Sequence, residues 1–134
     1  DWQIPLGRRF RALKLWFVLR YFGADGIRER IRHHIALAQA LAGWIDEEPG
    51  WERVAPVVFS TVVFRFAQAG ASPEERDAMN LDLLERVNAS GTAFLSHTRL
   101  QGRVALRLSI GNLRTGREHL ERTWRVLRDE AAGM

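Results

Sequence analysis

The stretch Thr92-Ala93-Phe94-Leu95-Ser96-His97-Thr98-Arg99-Leu100-Gln101-Gly102-Arg103-Val104-Ala105-Leu106-Arg107-Leu108-Ser109-Ile110 decides the fold. It reads as two strands, Thr92–Arg99 and Arg103–Ile110, joined by the glycine-containing hairpin link Leu100-Gln101-Gly102. Downstream, Thr115-Gly116-Arg117-Glu118 fits a capping box that opens a last helix. Leu120, Trp124, Leu127 and Ala131 share one face of that helix. Upstream, Ser72-Pro73-Glu74-Glu75 is a capping box with proline at the first helical position, opening a helix to about Asn88. Before it, Val57–Ala67 is rich in Val and Phe and reads as a strand, with a shorter one at Trp51–Val54. Pro49-Gly50 marks the turn leading in.

The amino-terminal third is different. Residues 1–7 read as extended, because Pro5 biases Ile4 away from helix and Gly7 punctuates. From Arg8 to Phe22 the residues Phe10, Leu13, Leu15, Trp16, Phe17, Val18 and Leu19 leave little polar face. A helix apolar nearly all round belongs inside a larger body or an interface, so a partner surface is expected there. Gly23 is placed to end it, and Asp25 can cap a second helix reaching about Ile45. Ile27, Ile31, Ile35, Ala38, Leu41, Ala42 and Ile45 give that helix its apolar face. The order predicts an α+β fold with a small, mainly antiparallel sheet covered by helices. Its strand-helix-strand-strand-helix tail suits a split βαβ layout.

Composition narrows the function classes. At 134 residues the chain is one domain or less. Its 46% hydrophobic content includes enough Val, Leu, Ile and aromatic residues to fill a core, which argues against disorder. Cysteine is absent, which excludes a disulfide scaffold and a cysteine-based zinc site. No apolar run is long enough to span a membrane and no secretory signal is visible, so the expected location is cytoplasmic. The first residue is Asp1 rather than Met, so a processed or excised piece, or one missing its beginning, is expected. Every basic residue except Lys14 is arginine, which suits carboxylate and phosphate partners. The bases are interleaved with acids, as in Arg28-Glu29-Arg30, and only Arg8, Arg9, Arg11 and Lys14 form a dense run. That pattern is typical of solvated helix faces and argues against nucleic acid.

No catalytic constellation is complete in these residues. There is no glycine-rich phosphate loop and no His-Glu-x-x-His. His33 and His34 are adjacent, so on a helix they diverge by about 100° and grip one metal ion poorly. Ser96 and His97, adjacent on a strand, point to opposite faces. His119 has no acid-base partner set, and exposure is its default reading. Asn88-Ala89-Ser90 matches a glycosylation sequon but has no secretion signal to go with it. Lys14 could form a Schiff base only if desolvated; the plain reading is a snorkelling surface lysine. Arg65, Arg103 and Arg107 lie on predicted strands, where one could hold a substrate carboxylate bidentately or all could serve as ion pairs within the sheet.

The run Trp2-Gln3-Ile4-Pro5-Leu6-Gly7-Arg8-Arg9-Phe10-Arg11-Ala12-Leu13-Lys14-Leu15-Trp16 resembles a segment of the group II pyridoxal-phosphate-dependent amino-acid decarboxylases, the family of aromatic-L-amino-acid decarboxylase and histidine decarboxylase. The similarity continues through Gly26-Ile27-Arg28, Ile31-Arg32-His33-His34, Val63-Phe64-Arg65-Phe66 and Arg103-Val104-Ala105-Leu106-Arg107.

The resemblance implies the carboxy-terminal portion of a fold-type I enzyme. Residues 1–12 would finish the large cofactor domain, and 13–134 would be the small domain. It implies pyridoxal 5'-phosphate as cofactor, held by upstream residues: a Schiff-base lysine, a stacking histidine and an aspartate at the pyridine nitrogen. It also implies a homodimer, an amino-acid substrate and the upstream domain as partner, with this chain inactive alone. In that family the residue after Ile-Pro-Leu lines the substrate pocket. Here it is Gly7, with Ile4, Pro5 and Leu6 as shape-setting neighbours. Glycine leaves room for a larger ring, which points to an aromatic amino acid; the other reading is that Gly7 only lets the backbone turn into the helix. The alternative from a different class is an arginine-rich α+β binding module for an acidic partner or RNA.

Overall fold

The computed structural model describes residues 10–134. The expected extended start, with Ile4, Pro5, Leu6 and Gly7, lies outside the described residues. The elements are α1 (Arg11–Glu47), β1 (Trp51–Arg53), β2 (Thr61–Phe66), α2 (Pro73–Ala89), β3 (Ser96–Leu100), β4 (Arg103–Ser109) and α3 (Arg117–Ala132). The strands form one sheet in the order β1-β2-β4-β3, with every neighbouring pair antiparallel. β4 therefore lies between β2 and β3, which run parallel to each other and are joined through α2. This is the split βαβ layout, and the fold is α+β as expected.

Alternation along the strands builds the core. Val62 and Phe64 of β2 and Leu106 and Leu108 of β4 are buried in one cluster with Leu41 and Ile45 of α1, Leu83 and Val87 of α2, and Leu120 and Leu127 of α3. Trp51 fastens edge strand β1 to α3: its ring centroid lies 4.9 Å from that of Trp124 and 5.3 Å from that of Phe66.

The hairpin is tighter than the sequence reading has it. Leu100 is the last residue of β3, and the link is Gln101-Gly102, with φ of 50° and 79°. Positive φ at both central residues gives the twist that two-residue hairpins need. The strand expected at Val57–Ala67 begins only at Thr61. A turn closed by Thr61 N–H donating to the Val58 carbonyl (3.3 Å) interrupts the run, with Phe59 at φ 53°. The strand expected from Thr92 begins at Ser96, because both backbone groups of Leu95 are taken by the side chain of Asn88 instead.

The first capping box forms as expected. Ser72 Oγ accepts from Glu75 N–H at 3.2 Å, and Glu75 Oε2 accepts from Ser72 N–H at 2.7 Å. The second does not. The cap of α3 is Gly116, not Thr115, and the Gly116 N–H donates to Nδ1 of His119 at 3.1 Å.

In α1 the helical run is interrupted at Gly23 (φ 68°, ψ 173°), where the sequence reading places a helix end. Only glycine adopts that conformation without strain. Of the predicted apolar face beyond it, Ala38, Leu41, Ala42 and Ile45 are buried, but Ile27 and Ile35 are half-buried and Ile31 is exposed. The reason is length. Residues 24–47 span about 36 Å of helix, whereas β4, the longest strand with 7 residues, covers about 23 Å. The helix overruns the sheet, and no described residue before Leu37 is buried.

Candidate functional site

The face of the sheet turned away from the core carries the arginines. Alternation that buries Val62, Phe64, Leu106 and Leu108 sends Val63, Arg65, Ala105 and Arg107 to the other side. Arg65 is paired with Glu52, directly opposite on β1. Arg103 reaches Glu74 at the start of α2, 3.2 Å away. Arg107 differs: its neighbours in register are Val63 on β2 and Ser96 on β3, and its Nε donates to Ser96 Oγ at 3.0 Å. Among the described residues it has no carboxylate partner.

That separates the three arginines the sequence left equivalent. Arg65 and Arg103 are committed to acids of the chain itself. Arg107 is exposed, and its two Nη groups are left for a planar anion, the geometry in which a guanidinium takes a carboxylate bidentately. Beside it, Arg65, Leu100, Arg103 and Ala105 line a surface depression of about 400 Å³. The ends of β2, β3 and β4 nearest Arg107 carry an apolar rim, with Val58, Phe59, Phe94 and Leu113 all exposed.

Polar side chains of α2, which sequence reasoning missed, tie the sheet to that helix. Asn80, fully buried, takes both backbone groups of Phe66 at the end of β2. Asp77 Oδ1 accepts from Val104 N–H at 2.9 Å, and Asn88 holds both backbone groups of Leu95 at 2.8 and 3.0 Å. A helix repeat at positions 77, 80 and 88 is a visible pattern, but strand register is needed to see what it grips. Asn88, the sequon residue, thus has its amide engaged in the fold.

Other candidates stand apart from this face. Lys14 is exposed on α1. The rings of His33 and His34 are 6.0 Å apart, and no group of metal-ligating side chains forms among the described residues. His97 is exposed on edge strand β3, on the face opposite Ser96. Many arginines are drawn into ion pairs, among them Arg53–Asp46, Arg86–Asp82, Arg117–Glu121 and Arg128–Glu48. The hydrogen bonds and charge of Asp46 raise Arg53 above the ordinary guanidinium range. The first half of α1 stays uncovered: Leu15, Trp16, Phe17 and Leu19 are each about half exposed. Among the described residues no helix is long and apolar enough to cross a membrane.

A pyridoxal phosphate, the cofactor expected from the resemblance, does not fit the described residues. The chain's one lysine is exposed on α1, and four surface depressions, including the one beside Arg107, contain neither lysine nor histidine.

Comparison with known proteins agrees with the residues that carried the resemblance. The family described as "Pyridoxal-dependent decarboxylase conserved domain" matches residues 1–67, half of the chain. Phenylacetaldehyde synthase of Arabidopsis thaliana is 42% identical over 98% of this chain and 27% of its own length. Tryptophan decarboxylase 2 of Oryza sativa subsp. japonica is 45% identical over 98% of this chain and 26% of its own. In structure the chain is similar to Oryza sativa TDC solved with PLP and tryptamine, with a TM-score of 0.89 and 34% identity, covering 98% of this chain and 29% of that one. The chain thus spans about a quarter of the length of the relatives it matches.

Proposed function

Because the chain belongs to the pyridoxal-dependent decarboxylase family, we propose that it forms the carboxy-terminal part of an enzyme that removes carbon dioxide from an aromatic L-amino acid to leave the amine. The observation that carries this reading is likeness along 98% of the chain to decarboxylases named for tryptophan and tyrosine. Pyridoxal phosphate bound by the rest of the enzyme would supply the electron sink for breaking the bond to the carboxylate. It is held by other parts of the enzyme, and the chain alone is inactive; the exposed position of Lys14, the one lysine of the chain, supports this.

What this chain contributes is binding and shape. Arg107 takes the substrate's carboxylate through its two Nη groups, orienting the bond to be broken. Ile4, Pro5, Leu6 and Gly7 border the ring pocket, Gly7 by leaving side-chain space empty. The exposed apolar half of α1 is covered in the assembled enzyme, which works as a homodimer.

The test is a substrate panel on the complete enzyme with its cofactor. Carbon dioxide and the matching amine are expected from tryptophan, tyrosine or dopa, with little from histidine or glutamate. Release from glutamate or histidine alone overturns the aromatic assignment. One relative favours a second reading: phenylacetaldehyde synthase is named for an aldehyde product, so an aldehyde in place of the amine would select that reading.

A further inference from the structure

We propose that Ser96 is a positioning residue for Arg107, so that the pair, rather than the arginine alone, sets how tightly the substrate's carboxylate is gripped. The proposal rests on the reading of Arg107 given above. An arginine side chain has four rotatable bonds, and an exposed one samples many orientations. Arg107 is restrained on both sides: Val63 flanks it on β2, and Ser96 on β3 accepts from its Nε at 3.0 Å. A bond at Nε fixes the plane of the guanidinium while leaving the Nη pair free, which is the end-on arrangement a carboxylate needs.

Ser96 is itself held in place. The residue before it, Leu95, is 1% exposed, and Asn88 of α2 grips both its backbone groups. The hydroxyl is therefore carried on a strand start pinned to the core. A line of named contacts runs from α2 through Asn88, Leu95 and Ser96 to Arg107. Of the three strand arginines Arg65, Arg103 and Arg107, only Arg107 lacks an acid among the described residues, and it is the one that Ser96 bonds.

The experiment uses the complete enzyme with its cofactor and compares Ser96→Ala, Ser96→Thr, Arg107→Gln and the double variant Ser96→Ala with Arg107→Gln. A hydrogen bond that acts on the ligand only by orienting another side chain is worth no more than an ordinary net hydrogen bond, about a 3–10-fold change. Ser96→Ala is expected to raise KM for the amino acid by about that factor with kcat little changed. Inhibition by the product amine, which has no carboxylate, should stay as it was. Ser96→Thr, which keeps a hydroxyl at the same place, should restore KM. In the Arg107→Gln background the Ser96→Ala change should add nothing, since the two act as one unit. If Arg107→Gln raises KM but Ser96→Ala does not, or Thr fails to rescue, the positioning role falls and the Arg107 reading stands. If Ser96→Ala weakens amino acid and amine alike, the role is structural and the proposal is overturned. If Arg107→Gln itself leaves KM unchanged, the carboxylate reading fails first and takes this proposal with it.

Discussion

Asn80 holds Phe66 by both of its backbone groups: the Phe66 N–H donates to Oδ1 at 2.9 Å, and Nδ2 donates to the Phe66 carbonyl at 2.8 Å. The same Nδ2 also donates to the Arg76 carbonyl at 2.8 Å, so a fully buried amide is satisfied within the fold. β2 thereby ends where α2 requires. Replacing Asn80 with Ala orphans the N–H and carbonyl of Phe66. At about 1–3 kcal/mol per orphaned buried group, Asn80→Ala should destabilise the chain by roughly 2–5 kcal/mol in urea unfolding. A loss below about 1 kcal/mol would show that water replaces the amide and that the clamp is dispensable.

Trp124 joins α3 to β1 through its edge contact with Trp51. Trp124→Ala should cost about 3–5 kcal/mol, the usual range for truncating a buried large aromatic. Hydrogen exchange should localise the loss to β1 and α3. Uniform loss of protection across β3 and β4 would contradict this division of the core.

The Ser72–Glu75 box gives a pH dependence of known sign. Hydrogen bonds from Ser72 hold the Glu75 carboxyl below the usual carboxylate range. A folded-state value below the unfolded one means stabilisation that is present above about pH 4.3, the unfolded glutamate value, and lost as pH falls through the lower folded value. Glu75→Gln should therefore be less stable than the parent at pH 7, and the gap should close on acidification. A gap that is constant from pH 7 to pH 2 would rule out the charged carboxylate as its source.

The half-exposed aromatics of α1 predict association. Trp16→Glu in the complete enzyme should convert dimer to monomer in sedimentation velocity, because a charge cannot be buried unpaired in an apolar contact. A dimer of unchanged affinity would place the subunit contact elsewhere and leave this surface for another part of the enzyme.

Much of the fold was legible because it is written locally. Ser72, Pro73 and Glu75 announce α2, and Gln101-Gly102 announces the hairpin, since capping and turn chemistry act over four residues or fewer. Gly23 was legible for the same reason. The failures arise where a local signal is overridden, by a nearby turn or side chain or by the limited reach of the sheet. Thr92–Leu95 read as strand, but Asn88 claims the backbone of Leu95. Val57–Ser60 read as strand, but the chain turns at Phe59. Ile31 read as core, yet the sheet does not extend that far. The site was legible only as three arginines on strands; their separation needed the register that faces Arg65 with Glu52 and Arg107 with Ser96. The proposed pocket residues Ile4 to Gly7 were legible only through the resemblance.

The most direct test of the account is the effect of Arg107→Gln on the complete enzyme, measured as KM for its aromatic amino acid beside the inhibition constant of the matching amine. Losing a charge-assisted pair worth about 1.5–3 kcal/mol should raise KM by about 10–100-fold while the amine, lacking a carboxylate, binds as before. An unchanged KM, or an equal loss for amino acid and amine, would contradict the assignment of Arg107 to the carboxylate.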